Sequence, residues 1–201
     1  MEEGTIRANA GSIFFIFIIF YLNMLSRLGI APLLPGIETD LSLNHATAGS
    51  LFLFMSVGYG SGLFGSAFIT ARICHHHQIV LSSVFVGISL LIFSISDSLF
   101  SLRLALFALG FTGGLYLPSG VATLTSLVSR QDWGKVLSLH QLAPNLAYIC
   151  SPMVAQVLLG DHSWRFVVAL YGVASIVVGV GYKFLGAPEG SCSEAPTFAS
   201  I

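Results

Sequence analysis

Apolar residues fall in six long blocks with short polar stretches between them, at residues 12–34, 46–71, 79–96, 100–128, 136–159 and 165–186. As a helix, the first run from Ile13 to Pro35 is about 33 Å long, enough to cross a hydrocarbon core of about 30 Å. The pattern predicts six transmembrane helices and no β-structure. The first connection is expected at Pro35-Gly36 and from Glu38 to His45, with Asn44 capping the second helix. Later connections are expected at Arg72 to Gln78, at Asp97-Ser98, at Ser129 to Lys135 and at Asp161 to Arg165, the last with an interfacial Trp164. Residues 1–11 read as a polar tail. Residues 187–201 read as a Pro/Ser-rich tail expected to be disordered, or as the start of a linker.

Within the blocks, small residues recur at helical spacing. Gly58, Gly62 and Ser66 put a close-packing stripe on the second helix, and Ala143, Ala147 and Ser151 do so on the fifth. These two helices hold equivalent places in two three-helix units of opposite topology, the pattern of inverted repeats. Gly110, Gly113, Gly114, Pro118 and Gly120 in the fourth block should bend or thin that helix.

Composition sharpens this picture. The chain has 201 residues, 55% of them hydrophobic and only 8% charged, against about 25% charged in soluble domains. Its 16 Phe and 21 Gly suit packed membrane helices. A net charge of −1 shows no nucleic-acid footprint. Cys74, Cys150 and Cys192 lack framework spacing, so no disulfide and no metal motif is read from them. The first block is read as a span and not as a cleaved signal, because five more follow it. With the N-terminus inside, Arg7, Arg72, Arg130, Lys135 and Lys183 fall on the inner side. Only Arg103 and Arg165 fall outside, so both termini are expected to be cytoplasmic in a cell (inner/plasma) membrane.

Arg27 is the leading site candidate. It lies about 21 Å into the first run, and a guanidinium stays charged there at a cost of at least about 2.5 kcal/mol. Two readings stand. It serves a transport pathway, or it is structural, snorkelling outward or capping carbonyls freed by Pro32. Asn23, one turn earlier, acts with it or bonds a neighbouring helix. Asn145 and Gln141 in the fifth helix are ligand contacts or packing hydrogen bonds, and Tyr116 and Tyr59 are weaker candidates. His140 is a proton relay or an interfacial side chain. His75, His76 and His77 are an adventitious metal site or stand-ins for basic loop residues. All nine acidic residues are placed in loops or tails. No phosphate loop, nucleophile elbow or zinc motif is present, so neither an enzyme nor a cofactor is expected.

Several stretches together resemble the N-terminal half of a major facilitator superfamily transporter. They are Arg27 followed by Pro32-Leu33-Leu34-Pro35, Asp40-Leu41 and Ala46 to Gly49. Further on come Gly114 to Pro118, Gly134-Lys135, Asn145, Pro152 and Trp164-Arg165. The resemblance covers residues 12–186 and departs in two places. The family's helix 2–3 loop pattern Gly-x-x-x-Asp-Arg-x-Gly followed by a basic pair retains only Arg72. Ala67, Ala71 and Cys74 replace its glycine, aspartate and second glycine, and His75 and His76 replace the basic pair. The family's helix-4 arginine is Leu106 here, with Arg103 one turn earlier.

The resemblance implies an all-α integral membrane protein, with six transmembrane helices in two inverted three-helix repeats forming half of a twelve-helix fold. It implies secondary transport of a small solute, an organic anion by virtue of Arg27, with Asn23, Asn145, Gln141 and Tyr116 at the site and Arg72 in the gating loop. The expected partners are the lipid bilayer, a small-molecule substrate, and a second six-helix half or homodimer mate. The rival reading is a non-transporting membrane subunit or an inactive fragment.

Overall fold

A computed structural model of the chain describes residues 6–186. Both predicted tails reach outside the described residues. Seven α-helices occur in order: α1 (Ala10–Leu28), α2 (Ile30–Asp40), α3 (His45–Thr70), α4 (His75–Ser94), α5 (Leu99–Ser126), α6 (Trp133–Leu159) and α7 (Trp164–Leu185). Helices α1 and α2 form one span, and six spans are long and apolar enough to cross a membrane. No strand occurs among the described residues.

The first span runs further than its prolines suggest. The helix pauses only at Gly29 and continues to Asp40, so Pro35, Gly36, Glu38 and Asp40 are helical and not loop. Pro32 falls in the first turn of α2, so no N–H reaches back to the Leu28 carbonyl where the helix pauses. The second connection is also shorter than expected, because His75, His76 and His77 open α4 instead of lying in a loop. Asn44 caps α3 as read, its side chain accepting from the Thr47 N–H at 2.8 Å. Helix α5 runs unbroken through Pro118.

The glycines serve packing instead. A side chain on Gly58 or Gly62 would strike the Phe107 and Phe111 carbonyls of α5, and one on Gly110 or Gly114 would strike the Met55 and Tyr59 carbonyls of α3. The two backbones therefore touch along a four-glycine seam, which only residues without a Cβ permit. Gly87 and Gly172 do the same between α4 and α7. Ala143, Ala147 and Ser151 lie buried on α6, which packs on α1.

The dominant pairings are span 2 with 4, 1 with 5, 3 with 6, 3 with 4 and 1 with 6. Exchanging spans 1–3 with 4–6 maps this set onto itself, which is the contact signature of two inverted repeats.

The core has two apolar layers. One, toward the end bearing Trp164, contains Leu25, Leu33, Leu51, Leu90, Leu106 and Val167. The other, toward the N-terminus, contains Ile16, Phe20, Ile79, Tyr116, Ala143 and Tyr182. Between them lies a layer of small and polar groups paired across helices. Asn23 Nδ2 donates to the Gly113 carbonyl at 3.4 Å, Ser82 to Thr112 at 2.6 Å and Ser83 to Ser175 at 2.8 Å.

The end bearing Trp164 is closed by Arg165. Its guanidinium donates to Asp40 Oδ2 at 3.0 and 3.2 Å, to Asp97 Oδ1 at 2.9 Å, and to the Ser94 and Ser96 carbonyls at 3.0 Å each. Trp164 also donates to Asp40, at 3.2 Å. Its ring is buried against Phe93, so it is a core residue rather than the interfacial one expected. Cys74 is disulfide-bonded, against expectation. Pairing depends on proximity in space, which spacing along the chain does not encode. Cys192 lies outside the described residues, and Cys150 is free.

Candidate functional site

The break at Gly29 sets the site. Here α1 gives way to α2 and the Tyr171 ring of α7 presses against the glycine, leaving 2.7 Å to where a Cβ would stand. Two residues before the break, Arg27 extends toward α3. Its guanidinium carbon sits 3.9 Å from the centre of the Tyr59 ring, a cation–π arrangement. One terminal nitrogen donates to Met24 Sδ at 3.0 Å, and Nε is buried without a hydrogen-bond partner. Arg27, Leu28, Ala31, Phe52, Met55, Ser56 and Tyr59 line an open cavity of about 290 Å³.

The cavity lies on the open side of the bundle. The apolar windows of α3 and α6 are only 17% and 22% buried, against 61% for α5. On α6, Gln141, Asn145 and Tyr148 are exposed at i, i+4 and i+7, which makes them one stripe. Tyr148 is close enough to the Arg27 guanidinium to interact with it electrostatically. Asn145 itself donates to the Gln141 carbonyl at 2.8 Å.

The candidates therefore separate. Arg27 lies at the cavity, whereas Gln141 and Asn145 are exposed on α6 and are not among its lining residues. Asn23, one turn below, is buried against Gly113 and does not line the cavity. Tyr116 is not brought to it either. That side chain is fully buried, donates to the Ile16 carbonyl at 2.8 Å and meets His140 Nε2 at 3.0 Å. His140 is itself buried and stacked on Phe20, so it is not interfacial. Arg72 is exposed in the connection between α3 and α4.

His75 turns to Ser119 and His76 stacks on Tyr182. Among the described residues no three His, Cys, Asp or Glu side chains gather closely enough to hold a metal ion. Arg103 donates to Ser50 on α3 at 3.1 Å. Sequence reasoning ranked Tyr59 too low and left Tyr148 out. The i, i+4, i+7 register with Gln141 and Asn145 was the available signal for Tyr148, whereas no sequence signal pairs Tyr59 with Arg27.

The sequence profile described as Major Facilitator Superfamily matches residues 16–196. The chain belongs to the major facilitator superfamily. Among curated proteins of known sequence, it is 24% identical over 146 residues to the Protein TsgA homolog of Buchnera aphidicola subsp. Baizongia pistaciae, covering 72% of this chain and 38% of that one.

Among solved structures, the inward-facing, unoccupied bacterial homolog of the human lysosomal transporter Spinster superposes with a TM-score of 0.85 at 15% identity. That match covers 93% of this chain and 45% of the other. A POT family transporter in complex with a thioalcohol-conjugated peptide superposes with a TM-score of 0.78 at 19% identity, over 92% of this chain and 40% of that one. The likeness is one of fold, that of a superfamily six-helix unit, and the chain spans less than half the length of these relatives.

Proposed function

We propose that the chain acts in secondary transport of a small organic anion, by alternating access between its six-helix bundle and a second half or a homodimer mate. The observation that carries this reading is Arg27. A permanently charged group sits within the span, at an open cavity, with one N–H unpaired. Keeping it there costs at least about 2.5 kcal/mol, and capping of freed carbonyls does not account for it. One terminal nitrogen of the guanidinium goes to a thioether rather than to a carbonyl. A carboxylate or phosphate would bind the guanidinium through charge-assisted bonds.

The Tyr59 ring holds the guanidinium by its cation–π contact, and Gln141 and Asn145 would offer polar contacts from the exposed stripe of α6. Arg72 would act at the gate on the N-terminal side, with both termini cytoplasmic in a plasma or inner membrane. The family match lends nothing to the rival reading of a non-transporting subunit.

The test is uptake of labelled organic anions and cations by liposomes carrying the reconstituted chain, with and without Arg27→Gln. Anion uptake should fall at least tenfold in the variant, while cation uptake stays at background. Equal anion uptake by both proteins refutes the proposal.

A further inference from the structure

The cavity beside Arg27 has a second chemical feature, and it belongs to the backbone. Residues 32 and 35 are both proline. Proline has no N–H, so the carbonyls four residues earlier, those of Leu28 and Ala31, lose their helical donors. Both residues line the cavity. Two of the neighbouring polar side chains on the span bond elsewhere, Asn23 to the Gly113 carbonyl and Thr39 to the Pro35 carbonyl. A backbone acceptor left without a donor at membrane depth is costly unless something in a cavity supplies one. In transporters with discontinuous helices, backbone carbonyls freed at the breaks coordinate cations.

Donor and acceptor are close together. The backbones of Arg27, Leu28 and Ala31 lie within about 6 Å of one another along the axis, and all three residues line the cavity. A solute with its anionic and cationic groups on one carbon can offer each to one of these partners, through hydrogen bonds of about 2.9 Å. Phe52 and Met55 supply an apolar wall for the remainder of the molecule.

We propose that this cavity is a zwitterion site, with the solute's carboxylate on Arg27 and its ammonium on the Leu28 and Ala31 carbonyls, the chemistry of an apolar α-amino acid. This rests on the reading of Arg27 as the anion-binding group. A plain carboxylate satisfies Arg27 but leaves both carbonyls without a donor. A plain amine satisfies the carbonyls but meets the like charge of Arg27.

The experiment compares paired probes by titration calorimetry on the purified full chain. The pairs are alanine with propionate, leucine with 4-methylpentanoate and phenylalanine with 3-phenylpropionate. At least one amino acid should bind tenfold or more tightly than its deamino partner, and Arg27→Gln should abolish binding of both. Pro32→Ala with Pro35→Ala returns N–H donors to the two carbonyls and should bring the pair to within about threefold.

If every pair binds equally and Arg27→Gln abolishes both members, the zwitterion site is wrong and the anion reading stands. If binding is indifferent to Arg27, or no probe binds, both fall. The wild-type comparison decides the matter even where the proline variants fail to fold.

Discussion

Gly114→Ala tests the link between the glycine seam and the site. A Cβ on Gly114 would lie 2.5 Å from the Tyr59 carbonyl oxygen, 3.0 Å from the Leu63 nitrogen and 3.1 Å from the Gly62 carbonyl carbon. All three are backbone atoms, so no rotamer change relieves the clash. An ordinary contact needs about 3.5 Å, so α3 must retreat by about 1 Å, and overpacking of this kind costs up to about 3 kcal/mol. Alanine recovers about 1 kcal/mol through its better helix propensity. The net loss is about 2 kcal/mol, a factor of about 30 in the folding equilibrium.

Gly60→Ala is the matched control, because nothing lies within 4 Å of its would-be Cβ. It should be neutral or gain up to about 1 kcal/mol. Equilibrium unfolding in mixed micelles, followed by the fluorescence of buried Trp164, measures both. The same variant should loosen Tyr59 from Arg27, since the displaced carbonyl is that of Tyr59. If Gly114→Ala and Gly60→Ala agree within 0.5 kcal/mol, the backbone seam is not tight and the argument fails.

Other expectations follow from polar contacts. Arg165→Gln removes most of the contacts joining Asp40, Asp97, Ser94 and Ser96; discounted for its partial exposure, the loss should be about 2 kcal/mol in the same unfolding assay. In a double-mutant cycle, Arg165→Gln with Asp40→Asn should show coupling of about 1 kcal/mol, and strict additivity would sink the pairing. Tyr116→Phe strands the His140 ring nitrogen in the core and should cost about 1–2 kcal/mol while leaving probe binding at Arg27 unchanged. Gln78→Leu removes the donor to Ser66 and Leu115 and should cost about 1–2 kcal/mol by thermal melting.

The six spans were legible because hydropathy over some 20 residues is a bulk property that no single side chain decides. The Asn44 cap and the Gly58–Gly62–Ser66 stripe were legible because their chemistry is local to one helix. The continuation of the first span through Pro35 was not, since proline marks a break without saying whether the helix resumes. The three histidines misled by polarity. Their solvation is replaced by Ser119 and by stacking on Tyr182, partners set by the fold alone. At the site, Arg27 was conspicuous as a charge in an apolar run, but Tyr59 lies 32 positions away on another helix. The Arg165 hub joins positions 40, 97 and 165, and nothing local to any one of them announces the others.

The pairing order of the spans also constrains how the chain matures at the ribosome. Span 1 finds its long-range partners 90 residues on at Gly113, 100 residues on at Tyr116, and 125 residues on at Arg165. Because it must wait for spans 4 to 6 to be synthesised, the first helix to enter the bilayer is among the last to be locked. Until then Arg27 waits in lipid or in the insertion machinery without Tyr148 and without the α7 wall. Arg165 arrives in the final span and fastens the end of the first span to the α4–α5 connection at once, so completion of the far end is a single late event. A nascent chain stopped before residue 165 therefore holds a threaded but unlatched bundle, the form on which membrane quality control acts.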